Sequence, residues 1–492
     1  MQAPTDERVP AKQATRHFFD CLEELGISYC HWKSNTRLEA TLAGREDIDL
    51  LVDPRCDARF RTALARCGFR TAVSRAGAGH PGVFHAVALD SATGELVDLH
   101  AYHQIVSGDS LVKSYRFPIE RLLLGSTCRL EGVRVPDPSA ELALFVLRIS
   151  LKHVSPIEIL KTNRSYSKVV AELAWLSERG DSAQAAALCA AWFPAISPPF
   201  FERLRQAIAG DALWPRAVLG WRLAWRLRHL RRIGWLRATA SRCRRLLLFV
   251  TGRLQRRRDL ALQTGGAIIA VVGPKGTGKS TVGGQLAGRL GRYLCIRRIH
   301  VGKPPPTLLS FLPRLFVPLG RVLLPHERLR EYQSAERRQK EGYSMLHVLR
   351  MLLVAYDRRR LIFRALRAAT SGAIVIADRY PSESGRATDS SCFDVAAAAA
   401  CRSRIKRWMM QRERALYRDL PRPTVVLKLV APLDLVLERD ARRSKGGGPD
   451  PEAVRRRWHL EREPDFSSSS VVHIDTSQPL DETIRSALQA VW

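Results

Sequence analysis

The sequence predicts an α/β protein: a C-terminal parallel sheet covered by helices, an N-terminal α+β zone, and a helix-rich connector between them. Three observations carry this. After about residue 263, near-continuous β-branched runs alternate with helical patterns, as in a parallel sheet buried on both faces. Before about residue 130, short apolar runs alternate with turn signals and helical stretches. From 131 to 262 the periodicity is helical and no convincing strand run occurs. With 492 residues, 46% of them hydrophobic, the chain can bury the cores of two to four domains. The expected boundaries are 1–130, 131–262 and 263–492.

In the first zone, helices are expected at Ala14 to Leu25 and Ala58 to Cys67, and strands at Asp47 to Pro54, Phe84 to Asp90 and Glu95 to Tyr102. Asp47 and Asp49 stand two apart in a strand, so both carboxylates point to one face. Like charges that close repel unless a cation sits between them. Asp98 adds a third acid between apolar neighbours. Three such acids suit a site holding two Mg²⁺ for in-line nucleotidyl transfer. This zone, from about Phe18 to His153, resembles nucleotidyltransferase-fold proteins. It resembles especially an uncharacterised family with Asp-Ile-Asp-Leu-Leu-Val and a later Val-Asp-Leu-His. The resemblance implies a nucleotidyltransferase-like fold with metal-binding acids at Asp47, Asp49 and Asp98. Lys33-Ser34-Asn35 stands where the superfold usually has Gly-Ser or Gly-Gly. The competing reading is a set of polar edge residues, or a domain that binds without catalysis. His31, His100 and His103 lie near these acids and are not assigned as ligands.

The middle zone has helical runs at Ala140 to His153 and Val169 to Gly180. From Ala212 to Arg258 it holds fourteen arginines and no acid, interleaved with Trp214, Trp221, Trp225 and Trp235. Such a stretch suits an anionic membrane surface, with tryptophan at the headgroups and arginine outward. It also suits a nucleic-acid backbone, to which less weight is given. The plain alternative is a connector with solvated arginines.

The third zone opens with a strand, a turn and a helix. The turn is Gly273, Pro274, Lys275, Gly276, Thr277, Gly278, Lys279, Ser280 and Thr281, a complete G-x-x-x-x-G-K-[ST]. Glycines let backbone N–H groups converge on phosphate oxygens, and the following helix directs its positive end at the same anion. Lys279 is expected on the β/γ-phosphates and Ser280 on Mg²⁺. Downstream, the strand Ala373 to Arg379 ends in Asp378-Arg379-Tyr380. An acid at the carboxyl end of such a strand suits Mg²⁺ or an acceptor hydroxyl, and Arg379 suits an acceptor phosphate. A further strand, Thr424 to Val430, leads to a helix with Arg439, Arg442 and Arg443, a basic cluster suited to a lid over phosphates.

Residues 265 to 492 resemble thymidylate kinase and related nucleoside monophosphate kinases. The matching features are Asp378-Arg379-Tyr380, the helix ending in Asp357-Arg358, and the run from Pro421 to Arg443. The resemblance implies a three-layer P-loop kinase fold, ATP, Mg²⁺ and a nucleotide-like phosphate acceptor. Lys279, Asp378, Arg379, Arg439 and Arg443 would then be catalytic. His300-Val301-Gly302-Lys303 replaces the family's Arg-Glu-Pro-Gly turn, and its Ala-Tyr-Gln segment has no counterpart after Tyr380. The residues leave other readings open. Tyr380 suits a core aromatic, Asp357 with Arg358 a surface pair, and the lid arginines a solvated face.

The net charge of +31 implies an anionic partner. Ten scattered cysteines without a CxxC pair read as reduced thiols, and the N-terminus shows no apolar signal region, so a cytoplasmic protein is expected, with the inner membrane surface as the peripheral site. No apolar run reaches bilayer length. Leu308 to Pro325 comes nearest and reads as a mobile or interfacial segment. The expected activity is phosphoryl transfer from ATP. The competing class is a nucleotide-gated regulatory or scaffold protein docked to membrane or nucleic acid.

Overall fold

A computed structural model describes residues 11–74, 79–80, 82–152, 154, 166–210, 212–254, 260–308, 310–311, 313, 343–382, 389–442, 451–461, 466 and 469–492. The chain forms two compact units, Met1–Gln263 and Thr264–Trp492.

The N-terminal unit is built on a mixed six-stranded sheet. Its strands are β1 (Tyr29–His31), β2 (Ile48–Val52), β3 (Arg70–Ser74), β4 (Val83–Asp90), β5 (Glu95–Tyr102) and, much later, β10 (Leu260–Leu262). Their order is β1-β2-β5-β4-β3-β10, with β2 and β5 parallel and every other pair antiparallel. Two hairpins stand outside it: β6 (Ile105–Ser107) with β7 (Tyr115–Phe117), and β8 (Thr127–Leu130) with β9 (Val133–Pro136). The helices are α1 (Gln13–Glu24), α2 (Leu38–Leu42), α3 (Asp57–Arg66), α4 (Glu120–Gly125), α5 (Pro138–Lys152), α6 (Tyr166–Arg179), α7 (Ser182–Trp192), α8 (Pro198–Ala209), α9 (Leu213–Arg226) and α10 (Trp235–Leu254).

Alternation along the strands decides what each face buries. Tyr29, Leu50 and Val52 join Phe18 and Leu22 of α1 and Phe60 of α3 in one core. Cys30, Trp32 and Leu51 join Leu142, Phe145 and Leu147 of α5, Phe200 of α8 and Leu223 of α9 in another. The helix-rich stretch is therefore not a free-standing connector, because it supplies one cover of the sheet. Nor is it free of strand. β9 and β10 both lie in it, and β10 closes the sheet edge against β3.

The second core contains a buried acid. Glu141, in the first turn of α5, is 5% exposed. Burial pushes its carboxyl up to about 8, with Asn35 pulling down and Glu172 pushing up. A folded-state value above the unfolded one means that folding takes up a proton, so stability falls as pH rises from about 4.5 through about 8. Glu141→Gln removes that slope. It is expected to raise stability at pH 8 relative to pH 5 by on the order of 3 kcal/mol compared with the parent chain. Thermal denaturation at the two pH values checks this. Parallel pH curves for parent and variant would show that Glu141 folds as a carboxylate.

The C-terminal unit has a five-stranded, all-parallel sheet. Its strands are β11 (Ile268–Val272), β12 (Ile296–His300), β13 (Ile374–Asp378), β14 (Val425–Val430) and β15 (Ser470–Asp475), in the order β12-β13-β11-β14-β15. The helices are α11 (Lys279–Leu290), α12 (Met345–Thr370), α13 (Val395–Ala400), α14 (Arg404–Tyr417), α15 (Leu433–Ala441), α16 (Pro451–Glu461) and α17 (Leu480–Val491). Ile268, Ala270 and Val272 pack with Ile362, Ala365 and Ala369 of α12. The alternate face meets α11 and α17, which also touch each other. A parallel sheet covered on both faces explains the unbroken burial of β11.

Candidate functional site

In the C-terminal unit, β11 lies between β13 and β14, the place where the strand order reverses. Open parallel sheets bind ligands outside the carboxyl ends of their strands at such a point. The loop from Gly273 to Gly278 leaves β11 there and enters α11. Its backbone is left-handed at Gly273, Gly276 and Gly278, with φ of 141°, 93° and 85°. At Gly273 a Cβ would stand 2.5 Å from the carbonyl oxygen of Leu429, and at Gly276 it would stand 3.0 Å from the Val436 side chain. Gly273 therefore needs glycine for space as well as for φ, and at Gly276 the left-handed φ decides, with the tight Val436 contact adding to it.

Lys279 Nζ donates to the carbonyls of Gly273 (2.7 Å) and Pro274 (2.8 Å), and Thr277 Oγ1 donates to Pro274 O. Lys275 pairs with Asp440 of α15 at 2.9 Å. Ser280 Oγ lies 3.4 Å from Asp378 Oδ2 at the end of β13. Lys275, Gly276, Thr277, Gly278, Lys279, Ser280 and Thr281 line one cavity of about 420 Å³ together with Asp378, Arg379 and Arg439. Gly273 and Pro274, which turn the chain beneath Lys279, are not among its lining residues. Arg439 donates to Thr476 O at 2.8 Å, so its guanidinium is held at the end of β15 rather than on a solvated face. Arg443, expected with it, lies outside the described residues, as do 314–325 of the apolar segment and 385–388 after Tyr380.

Arg379 has a left-handed backbone, φ 69°, and its Nη1 donates to Asp389 Oδ2 at 3.3 Å. A non-glycine residue in that conformation is costly and is held by its surroundings. Tyr380 is a core residue, 5% exposed, and its hydroxyl donates to Pro421 O. Asp357 and Arg358 are not a surface pair. Both are buried, because Asp357 accepts from Thr307 and Ser310 while Arg358 donates to Val301 O (3.0 Å) and Asp389 O (2.7 Å). Asp389, missed in the sequence, joins Arg358 to Arg379.

In the N-terminal unit, strand register does the gathering. Asp49 lies opposite His100 across the parallel β2–β5 pair, and His85 and Val87 lie opposite His100 and Asp98 across β4–β5. Asp98 and His100 therefore share a face with Asp49. Lys33 Nζ sits 2.7 Å from Asp49 Oδ1. The His100 ring lies 3.5 Å from Asp49 and 3.4 Å from Asp98, with Asp47 at 3.9 Å. The cation that paired carboxylates demand is thus supplied by the chain itself. Burial alone would lower the His100 pKa, but its hydrogen bonds to Asp49 and Asp98 hold it at about 9. Burial would raise Asp49, but the Lys33 ammonium and His100 keep it well below the usual carboxylate range. Asp47, at the rim, is raised by burial. Lys113, near Tyr102, is lowered to about 7 by burial and by Lys33.

For a bound metal, the donors at hand are Asp47, Asp49 and Asp98, together with His85 and His100. His85, Asp98 and His100 bring one ligand atom each within 4.8 Å of one another. Asp98 Oδ1 is buried without a hydrogen-bond partner. An all-oxygen Mg²⁺ cage would have to displace Lys33 from Asp49 and His100 from the two carboxylates. His100 was legible as the residue two beyond Asp98. Lys33 belongs to the Lys33-Ser34-Asn35 segment already singled out beside the acids, whereas Lys113 arrives with no local signal.

No protein-family model matches this chain, and no curated protein matches it. The solved structures that match include an unliganded sugar kinase from Janibacter sp. HTCC2649, at 14% identity over 46% of this chain and 94% of that one. Its TM-score is 0.25, a level of likeness that supports no inference about fold or activity.

Proposed function

We propose that the C-terminal unit is an ATP- and Mg²⁺-dependent phosphotransferase of the P-loop kinase type, acting on a nucleotide-like acceptor. The observation that carries this reading is one cavity lined by a glycine-dependent loop, Lys279, Ser280, Asp378, Arg379 and Arg439. The fit to a polyphosphate is electrostatic. Lys275 and Lys279 line the cavity, and the loop residues that line it lead into the N-terminus of α11, the positive end of a helix. Lys279, which donates to loop carbonyls, exchanges them for phosphate oxygens. Arg379, braced by Asp389, orients the acceptor, and Arg439 neutralises charge at the far side. Ser280 and Asp378 would hold Mg²⁺, which would supply positive charge to neutralise the donor phosphates.

The test is phosphoryl transfer from γ-labelled ATP with Mg²⁺ to nucleoside monophosphates, nucleosides and phosphosugars. Label on a monophosphate supports the reading. ATP binding without transfer to any acceptor would favour a nucleotide-gated protein instead. Within the same assay, Asp378→Asn is expected to lower turnover roughly 10–100-fold and to shift the Mg²⁺ requirement upward, because an amide is a weaker partner for the ion. An unchanged Mg²⁺ titration would remove Asp378 from the metal site.

A further inference from the structure

The arginine-rich stretch turns many of its charges inward. On α9, Arg216 is buried with its guanidinium 3.7 Å from the Tyr166 ring centre. Arg226 donates to Ala195 O and lies over Phe200. On α10, Arg242 pairs with the buried Asp109 at 2.8 Å. These arginines fasten the helices to the N-terminal unit.

The outward side of α9 is apolar instead. Trp214, Trp221 and Trp225 are 78%, 64% and 67% exposed. Spacings of seven and four residues put all three on one helical stripe. The pattern recurs on α10. Leu236, Cys243, Leu247 and Val250 follow at seven, four and three residues, and all are exposed. Trp235 beside them is 63% exposed. Exposed Arg222, Arg228, Arg237 and Arg244 flank the stripes, with Arg228 over the Trp225 ring at 4.6 Å. No acid occurs from Ala212 to Arg258. Exposed apolar stripes flanked by charge are the kind of surface that marks an interaction site.

We propose that α9 and α10 dock this protein onto an anionic phospholipid surface. The tryptophans and aliphatic side chains enter the headgroup–acyl boundary, and the exposed arginines lie against lipid phosphates. The aliphatic stripe decides between lipid and nucleic acid. Leucine and valine have no counterpart in a phosphate backbone or a base stack. Tryptophans seven residues apart stand about 10 Å apart along a helix, about three times the spacing of stacked bases. Among the described residues no helix is long and apolar enough to cross a membrane, so the contact is with the surface.

The experiment is flotation of the full chain with vesicles of phosphatidylcholine alone or mixed with phosphatidylglycerol, while tryptophan emission is recorded. Binding is expected to the anionic vesicles, with a blue-shifted emission, and only weakly to the neutral ones. The triple variant Trp214→Ala, Trp221→Ala, Trp225→Ala should lose roughly tenfold or more of this partitioning, and Leu236→Ser with Leu247→Ser a comparable share. Melting temperature and ATP binding should stay at the parent values in both variants. Two outcomes would overturn the proposal: absence of binding to anionic vesicles, or vesicle binding that survives both variants.

Discussion

Lys279→Ala is expected to abolish measurable phosphoryl transfer, by roughly 10²–10³-fold or more, without unfolding the C-terminal unit. The argument is electrostatic. Lys279 is the first residue of α11, where the positive end of the helix dipole already stands. Lys275 adds a second ammonium on the same loop, compensated by Asp440. A cation in that position is unfavourable until an anion enters, so its removal should leave the melting temperature unchanged or slightly higher. What disappears is the ability to receive phosphate oxygens in place of the Gly273 and Pro274 carbonyls. The rise in melting temperature caused by ATP with Mg²⁺ should therefore shrink sharply in the variant. Lys279→Arg keeps the charge, but its planar fork does not sit as a point charge between two carbonyls, and at least a tenfold loss is expected there too. Initial rates and nucleotide-induced melting shifts, measured side by side, check both effects. A variant whose activity stays within threefold of the parent would remove Lys279 from the chemistry.

The glycine-rich loop and β11 were legible because their signal is local: consecutive residues, a preceding strand and a following helix. Asp378 and Arg379 were legible for the same reason. The acids of the N-terminal sheet were legible through alternation, since Asp47 and Asp49 are two apart. Their surroundings were not, because register between strands places them there. His85 reaches His100 only through the antiparallel β4–β5 pairing, and Lys113 arrives with no local signal. β10 escaped because three residues carry too little pattern, and its partner β3 lies almost two hundred residues earlier. On α9, the composition suggested arginine outward. Arg216 and Arg226 turn inward because the aromatic rings of Tyr166 and Phe200 wait there, and no local period announces those partners.

Arg358 is the residue whose weight the sequence most understated, and Arg358→Ala should be among the most destabilising single changes in the C-terminal unit. Its guanidinium joins four segments: its own helix α12, Val301 and Gly302 after β12, Asp389, and Tyr417 at the end of α14. Truncation leaves the buried carbonyls of Val301 and Asp389 without this donor, and each lost buried partner costs about 1–3 kcal/mol. A total of about 3 kcal/mol corresponds to a fall of roughly 6–12 °C in melting temperature for a unit of this size. Asp389 Oδ2 also braces Arg379 at 3.3 Å, so Asp389 loses one of the two guanidiniums that hold it. The variant should therefore raise the KM for the acceptor more than the KM for ATP, because the residue this network braces is Arg379, proposed to orient the acceptor. Arg358→Lys restores a charge but not the fork that reaches Val301, Asp389 and Tyr417 together, and should recover only part of the stability. The transition to follow is the one that ATP with Mg²⁺ raises. A fall of less than about 2 °C in that transition would mean that solvent satisfies these carbonyls as well as Arg358 does. The burial of the guanidinium, 5% exposed at the junction of four segments, argues against that outcome.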